Sequence, residues 1–116
     1  MPPQAADAIH RSSEDLFDRT GVKALEVELY ATVENTALAA LGAPQPTAGQ
    51  MPVYVLLYRG DFELTIFRGP FGATPPRGDI AVYVVDARTG DGRAFGLQSR
   101  PVDRQLLGPM TLVPIE

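Results

Sequence analysis

At 116 residues with 45% hydrophobic side chains the chain has the length and composition of one folded domain. A domain of this size buries roughly 60–70% of the surface that its unfolded chain exposes. The formal charge of −4, with nine Arg and one Lys spread along the chain rather than clustered, argues against non-specific binding to nucleic acid or to anionic membranes. With no Cys, disulfides, thiolate metal sites and thiol catalysis are excluded together, and the apolar runs are too short to span a bilayer.

Residues 1–7 lack the basic start and apolar stretch of a signal peptide. That leaves either a cytosolic chain or one from which a leader has been removed. Ile9, Leu16 and Phe17 then lie among polar residues, and Ser12 followed by Asp15 resembles a capping box, so a helix is predicted over 6–19, ended by Gly21. Residues 23–31 alternate, with Ala24, Glu26, Glu28 and Tyr30 on one side and Leu25, Val27 and Leu29 on the other, which predicts a strand with one wet face. Thr32 is placed to cap a short helix whose apolar stripe is Val33, Ala37, Leu38 and Leu41, stopped by Gly42.

Three prolines and a glycine make 43–52 a loop. Residues 53–58 (VYVLLY) and 62–67 (FELTIF) read as two strands joined through Arg59-Gly60-Asp61 as a tight hairpin turn. A proline- and glycine-rich connection, 69–79 (GPFGATPPRGD), leads to the clearest pattern in the chain, IAVYVVDARTGDGRAFG over 80–96. There Ile80, Val82 and Val84 alternate with Ala81, Tyr83 and Val85; Asp86 can accept hydrogen bonds from the N–H of Arg88 or Thr89, and Gly90 supplies the left-handed residue of the reversal. One helical turn within 98–108, with Asp103 as cap and Gly108 as stop, and a short edge strand over 110–115 complete the order. The class is α+β: an antiparallel sheet of four to five strands covered on one face by the N-terminal helix and the second short helix, in a single domain.

Candidate chemistry is sparse. Arg-Gly-Asp occurs at 59–61 and 77–79; it reads as an adhesion tripeptide or as ordinary turn chemistry, and the second copy, in the longer loop, has more freedom to be presented. His10 is the sole imidazole and reads as a solvated surface residue. Glu26 and Glu28 share a strand face about 7 Å apart, and Glu14, Asp15 and Asp18 cluster on the first helix; acid–base work by carboxylates is one reading, and solvated faces the other. Ser12, Ser13 and Ser99 have no partner base, and GDGRAFG lacks the strand–loop–helix context of a phosphate loop. No metal or cofactor is expected. Tyr54, Tyr58, Tyr83 and the phenylalanines are interleaved with aliphatics, as core or as the lining of an aromatic groove.

The hairpin carries a resemblance. A short helix, strands and then a strand running into V-D-A-x-T-G resemble the PepSY-type domain of bacterial extracytoplasmic proteins; the matching residues are Tyr83, Val85, Asp86, Ala87, Thr89 and Gly90, with 32–41 as the helix and 53–58 as the first strand. The chain is also similar to small uncharacterised secreted or envelope proteins of high-GC Gram-positive bacteria. The PepSY resemblance implies a non-catalytic role, restraining or contacting a peptidase or another envelope protein. The expectation is therefore a non-enzymatic, extracytoplasmic protein-interaction module. Its contacts would run through the 69–79 loop, with Phe71, Arg77 and Asp79, and through an exposed sheet edge. The alternative is a small apolar-ligand binding protein with a pocket between helix and sheet lined by Tyr54, Tyr58, Phe67 and Tyr83; an enzyme using carboxylates alone comes third.

Overall fold

The computed structural model describes residues 1–42, 49–65 and 75–115. Helix α1 (Pro3–Thr20) starts three residues earlier than the pattern predicts, because Pro3 fits the first helical turn, where its missing N–H has no intrahelical partner to lose. It ends at Gly21, whose φ of 72° lets its N–H turn back to the Phe17 carbonyl. Ser12 is no cap: it sits mid-helix and donates its hydroxyl to the Ala8 carbonyl at 2.7 Å. The buried stripe Ala5, Ala8, Ile9, Ser12, Leu16 and Thr20 follows the three-to-four spacing of a packed helix and leaves Phe17 exposed.

Among the described residues five strands form one antiparallel sheet: β1 (Glu26–Val33), β2 (Pro52–Glu63), β3 (Arg77–Asp86), β4 (Gly92–Gln98) and β5 (Thr111–Pro114), in the spatial order β4-β3-β2-β1-β5. Helix α2 (Glu34–Ala40) links β1 to β2, and a single helical turn, α3 (Arg104–Leu107), lies on the crossover from β4 at one edge to β5 at the other. Thr32 does not cap α2; Val33 occupies the cap position with no side-chain bond. The α+β class and the antiparallel sheet are as expected.

The helices do not share a face. Helix α1 packs on Val27 and Leu29 of β1, Leu56 and Tyr58 of β2, and Ala81, Tyr83 and Val85 of β3. Ala37 and Ala40 of α2 and Leu107 of α3 close a second core with Tyr30, Val53, Val55, Leu57, Ile80, Val82 and Val84. The physical reason is in the strands: β2 and β3 are apolar on both sides, so each side must be taken out of water, and one helix cannot do both.

Two turns expected from Arg-Gly-Asp are strand instead. β2 runs unbroken through Arg59, Gly60 and Asp61, and its pairing with β3 steps from Arg59↔Ile80 to Phe62↔Gly78, so two residues of β2 face one of β3 in a β-bulge. Glycine next to a short polar residue suits a bulge as well as it suits a turn. Arg77, Gly78 and Asp79 open β3 rather than sitting in a loop. A Cβ on Gly78 would lie 2.5 Å from the Gln98 backbone nitrogen, so this glycine serves the close approach of β4.

The β3–β4 hairpin forms as the sequence indicates. Arg88 N–H donates to Asp86 Oδ1 at 2.8 Å, Gly90 N–H donates to the Asp86 carbonyl at 2.8 Å, and Gly90 has φ 77°. The backbone N–H of Arg88, with that of Thr89 behind it, outweighs burial and holds the Asp86 carboxyl below the usual aspartate range.

Candidate functional site

The polar centre of the molecule lies on the α2/α3 side of the sheet. Glu28 of β1 is 5% exposed. Its Oε1 accepts from the Tyr30 hydroxyl at 2.7 Å and from Arg104 Nε at 2.8 Å, while Oε2 accepts from Arg59 Nε at 3.0 Å and Arg104 Nη2 at 3.4 Å. Strand geometry sets the first of these, since Glu28 and Tyr30 are two residues apart and point the same way. Leu57 lies opposite Glu28 in the register, so Arg59, two residues on, reaches it diagonally from the last paired position before the bulge. Arg104 arrives from α3, across the whole sheet from the strand that precedes it.

Burial pushes the Glu28 carboxyl up, but the hydrogen bonds from Arg104 and Tyr30 and the charges of Arg104 and Arg59 outweigh it, and the net shift is below 4.5. Glu28 therefore stands as a fixed carboxylate with both oxygens occupied, unsuited to donating or collecting a proton. The wet strand face read for Glu26 and Glu28 holds only for Glu26, which is exposed; Glu28 is buried because two guanidinium groups come to it. Arg59, Gly60, Asp79, Ile80, Ser99, Pro101 and Arg104 line an open cleft of about 410 Å³ beside this cluster.

On the α1 side the polar groups are neutral or half-exposed. Tyr58 is fully buried, and its hydroxyl lies 2.6 Å from Ser12 Oγ. Ser12 already donates to Ala8, so Tyr58 is the donor in that pair. Tyr83 donates to Asp15 Oδ2 at 2.6 Å, the same oxygen that accepts from Arg19 Nε at 2.7 Å, and Arg19 covers the Phe95 ring at 4.6 Å. The rings of Tyr58 and Tyr83 meet edge to face at 5.9 Å. Tyr58, expected to line a ligand pocket, is thus a core residue that fills the space between α1 and the sheet, with Tyr54 half-buried beside it; Tyr83 is buried but borders an open cleft of about 420 Å³ between α1 and β4, with Asp15, Arg19 and Phe95.

The remaining candidates are scattered. Arg77 is exposed and bridges β3 to β2 through Asp61 at 3.5 Å and Glu63 at 3.8 Å. Asp79 is exposed on the wall of the Arg59 cleft. Phe71 and Phe67, with most of the proline-rich connection, lie outside the described residues. His10 pairs with Glu14 at 3.1 Å on the open side of α1. Sequence reasoning gave Tyr30 and Arg104 no role and weighed Arg59 only within Arg-Gly-Asp; the available signal was a Glu and a Tyr at alternate positions of one strand, a spacing that puts a hydroxyl on a carboxylate.

The two edges of the sheet, both without a further strand among the described residues, differ. β5 is four residues long, contains Pro114 and follows Pro109, while β4 is seven residues with no proline and, among the described residues, no strand on its outer side. No helix of the described residues is long and apolar enough to cross a membrane. No family model, no curated protein and no solved structure matches the chain, so the geometry is the basis for any functional reading.

Proposed function

We propose that the protein is a non-enzymatic protein-interaction module that takes an extended segment of a partner onto the outer edge of β4. The observation that carries this reading is the contrast between the two edges. Proteins protect exposed edges with prolines, charges or brevity, because an open row of N–H and C=O groups recruits another strand. β5 has two of those protections and β4 has neither; β4 carries a bulge at Arg93, and its regular stretch is Ala94–Gln98. Its one charged side chain, Arg93, is held by Glu34 at 2.8 Å. A non-catalytic role agrees with the engagement of the buried Glu28 carboxylate by four donor atoms. The family resemblance adds an extracytoplasmic setting and an envelope protein or peptidase as the kind of partner.

The test is photo-crosslinking in the native host from positions 92 and 98 of β4, with position 18 on the solvent side of α1 as the reference. Adducts are expected from β4 and not from α1. They are expected to vanish in an Ala94→Lys/Gly96→Lys variant, which places two charges on the edge without disturbing the fold: Ala94 is exposed, and a Cβ on Gly96 meets nothing within 4 Å. Equal adducts from both positions, or adducts that survive the double substitution, would sink the reading.

A further inference from the structure

We propose that Arg59 and Arg104 form a binding site for a single carboxylate group, in the cleft that they share with Ser99 beside the β2 bulge. This is independent of the β4 edge. Two guanidinium groups converge on the Glu28 carboxylate, and of the two it is Arg59 that turns its unbonded end toward the cleft, with Asp79 on the opposite wall. Arg59 engages Glu28 through Nε alone, and among the described residues its two terminal nitrogens make no hydrogen bond. Its side chain is 67% exposed, while that of Arg104 is 32% exposed, so the first reaches into the cleft and the second forms its wall.

The Glu28 bond matters for recognition as well as for burial. An unrestrained arginine loses side-chain freedom when it binds, and one whose Nε is already fixed presents its terminal fork with much of that loss already incurred. The fork geometry suits an oxyanion with two oxygens side by side. Charge selects among oxyanions. One guanidinium with free donors answers a monoanion, and the Glu28 carboxylate beneath and the Asp79 carboxylate on the wall oppose the second charge of a phosphate. Ser99 adds a hydroxyl to the lining, and about 410 Å³ lies in the lower part of the range for small-ligand sites, roughly 300–1,000 Å³. The carboxylate can come from a small organic acid or from the C-terminus of a peptide.

The experiment follows the Arg Nε–H resonances of isotopically labelled protein at constant ionic strength. The probes are acetate, inorganic phosphate, and tetra-alanine with either a free or an amidated C-terminus. The Arg59 resonance is expected to shift saturably with acetate and more weakly with phosphate. Free-acid tetra-alanine binding tighter than acetate, with the amidated form inert, assigns the site to peptide termini; equal binding by acetate and the free-acid peptide assigns it to small acids. Arg59→Gln should weaken acetate by at least about tenfold while Arg104 keeps Glu28 neutralised and the fold intact. If that variant fails to fold, Arg59→Lys serves, expected to lose severalfold because the charge remains and the fork does not. The proposal is overturned by shifts that stay linear with every salt, by phosphate binding tighter than acetate, or by unchanged affinity in the folded arginine variant.

Discussion

The two faces of the sheet bury polar groups by opposite means. Under α1 the buried groups are hydroxyls, Tyr58 on Ser12 and Tyr83 on Asp15, in a core otherwise made of aliphatic and aromatic side chains. Under α2 and α3 the buried group is a charge, Glu28, and it is tolerated because Arg104, Arg59 and Tyr30 surround it. A hydroxyl needs one partner to be buried cheaply, whereas a carboxylate needs its charge answered as well. The difference follows from what covers each face. Helix α1 is long enough to cover the sheet with its own apolar stripe, while the four-residue α3 buries only Leu107 and Arg104 has to neutralise what lies beneath it.

The sharpest way to break this comparison is to remove the charge. Glu28→Gln leaves Arg104 beside a neutral amide, and the loss expected is about 2–3 kcal/mol, at or below the usual range for breaking a buried pair because both arginines can turn partly to water. Its pH dependence separates a charge effect from a packing effect. The folded Glu28 carboxyl titrates below 4.5, so its stabilisation is present above that pH and is lost as pH falls through the folded value. Denaturant midpoints should therefore differ most between parent and variant at neutral pH and converge in acid. A constant difference from neutrality to pH 3 would mean that Glu28 acts through its shape alone.

A smaller effect is expected at the other end of the pH scale, where the tyrosines rather than the carboxylate respond. Burial pushes Tyr58 up to about 12; burial and the bond to Glu28 push Tyr30 up to about 12; burial and Asp15 push Tyr83 higher still. Because these values lie above the ordinary 10.0, the stabilisation is fully present below pH 10 and is lost as pH rises toward 12. Phenolate absorbance should lag in the folded protein and rise together with loss of structure. Early ionisation of these groups near pH 10 with the fold intact would show that neither face keeps its hydroxyls dry.

Much of the fold could be read from the chain because alternation survives translation into strands. The β3–β4 hairpin formed around Asp86 and Gly90 as read, and Gly21 and Gly42 ended the segments they were expected to end. What failed was local chemistry with two solutions. Gly60-Asp61 suits a bulge as well as a turn, and only the pairing with β3 decides between them. Glu28 read as solvated because the groups that bury it come from 31 and 76 residues away along the chain, a distance over which periodicity carries no information. The tyrosines were legible as apolar and aromatic, but whether Tyr58 lines a pocket or fills one depends on how closely α1 approaches.

The finest test of the comparison lies within the hydroxyl pair of the α1 face. Tyr58→Phe removes the donor and leaves Ser12 still bonded to the Ala8 carbonyl at 2.7 Å, so no buried partner is orphaned. The loss should be about 1 kcal/mol, the net worth of one neutral hydrogen bond. Ser12→Ala acts on the same contact from the other side. It leaves the Tyr58 hydroxyl with the Ile9 carbonyl at 3.3 Å and gains about 0.5 kcal/mol of helix propensity, so a change smaller than that of Tyr58→Phe is expected. Thermal or denaturant unfolding of the two variants decides it. Losses as large as that of Glu28→Gln would mean that the hydroxyl network is coupled like the charged one, and the two faces would then differ in composition but not in mechanism.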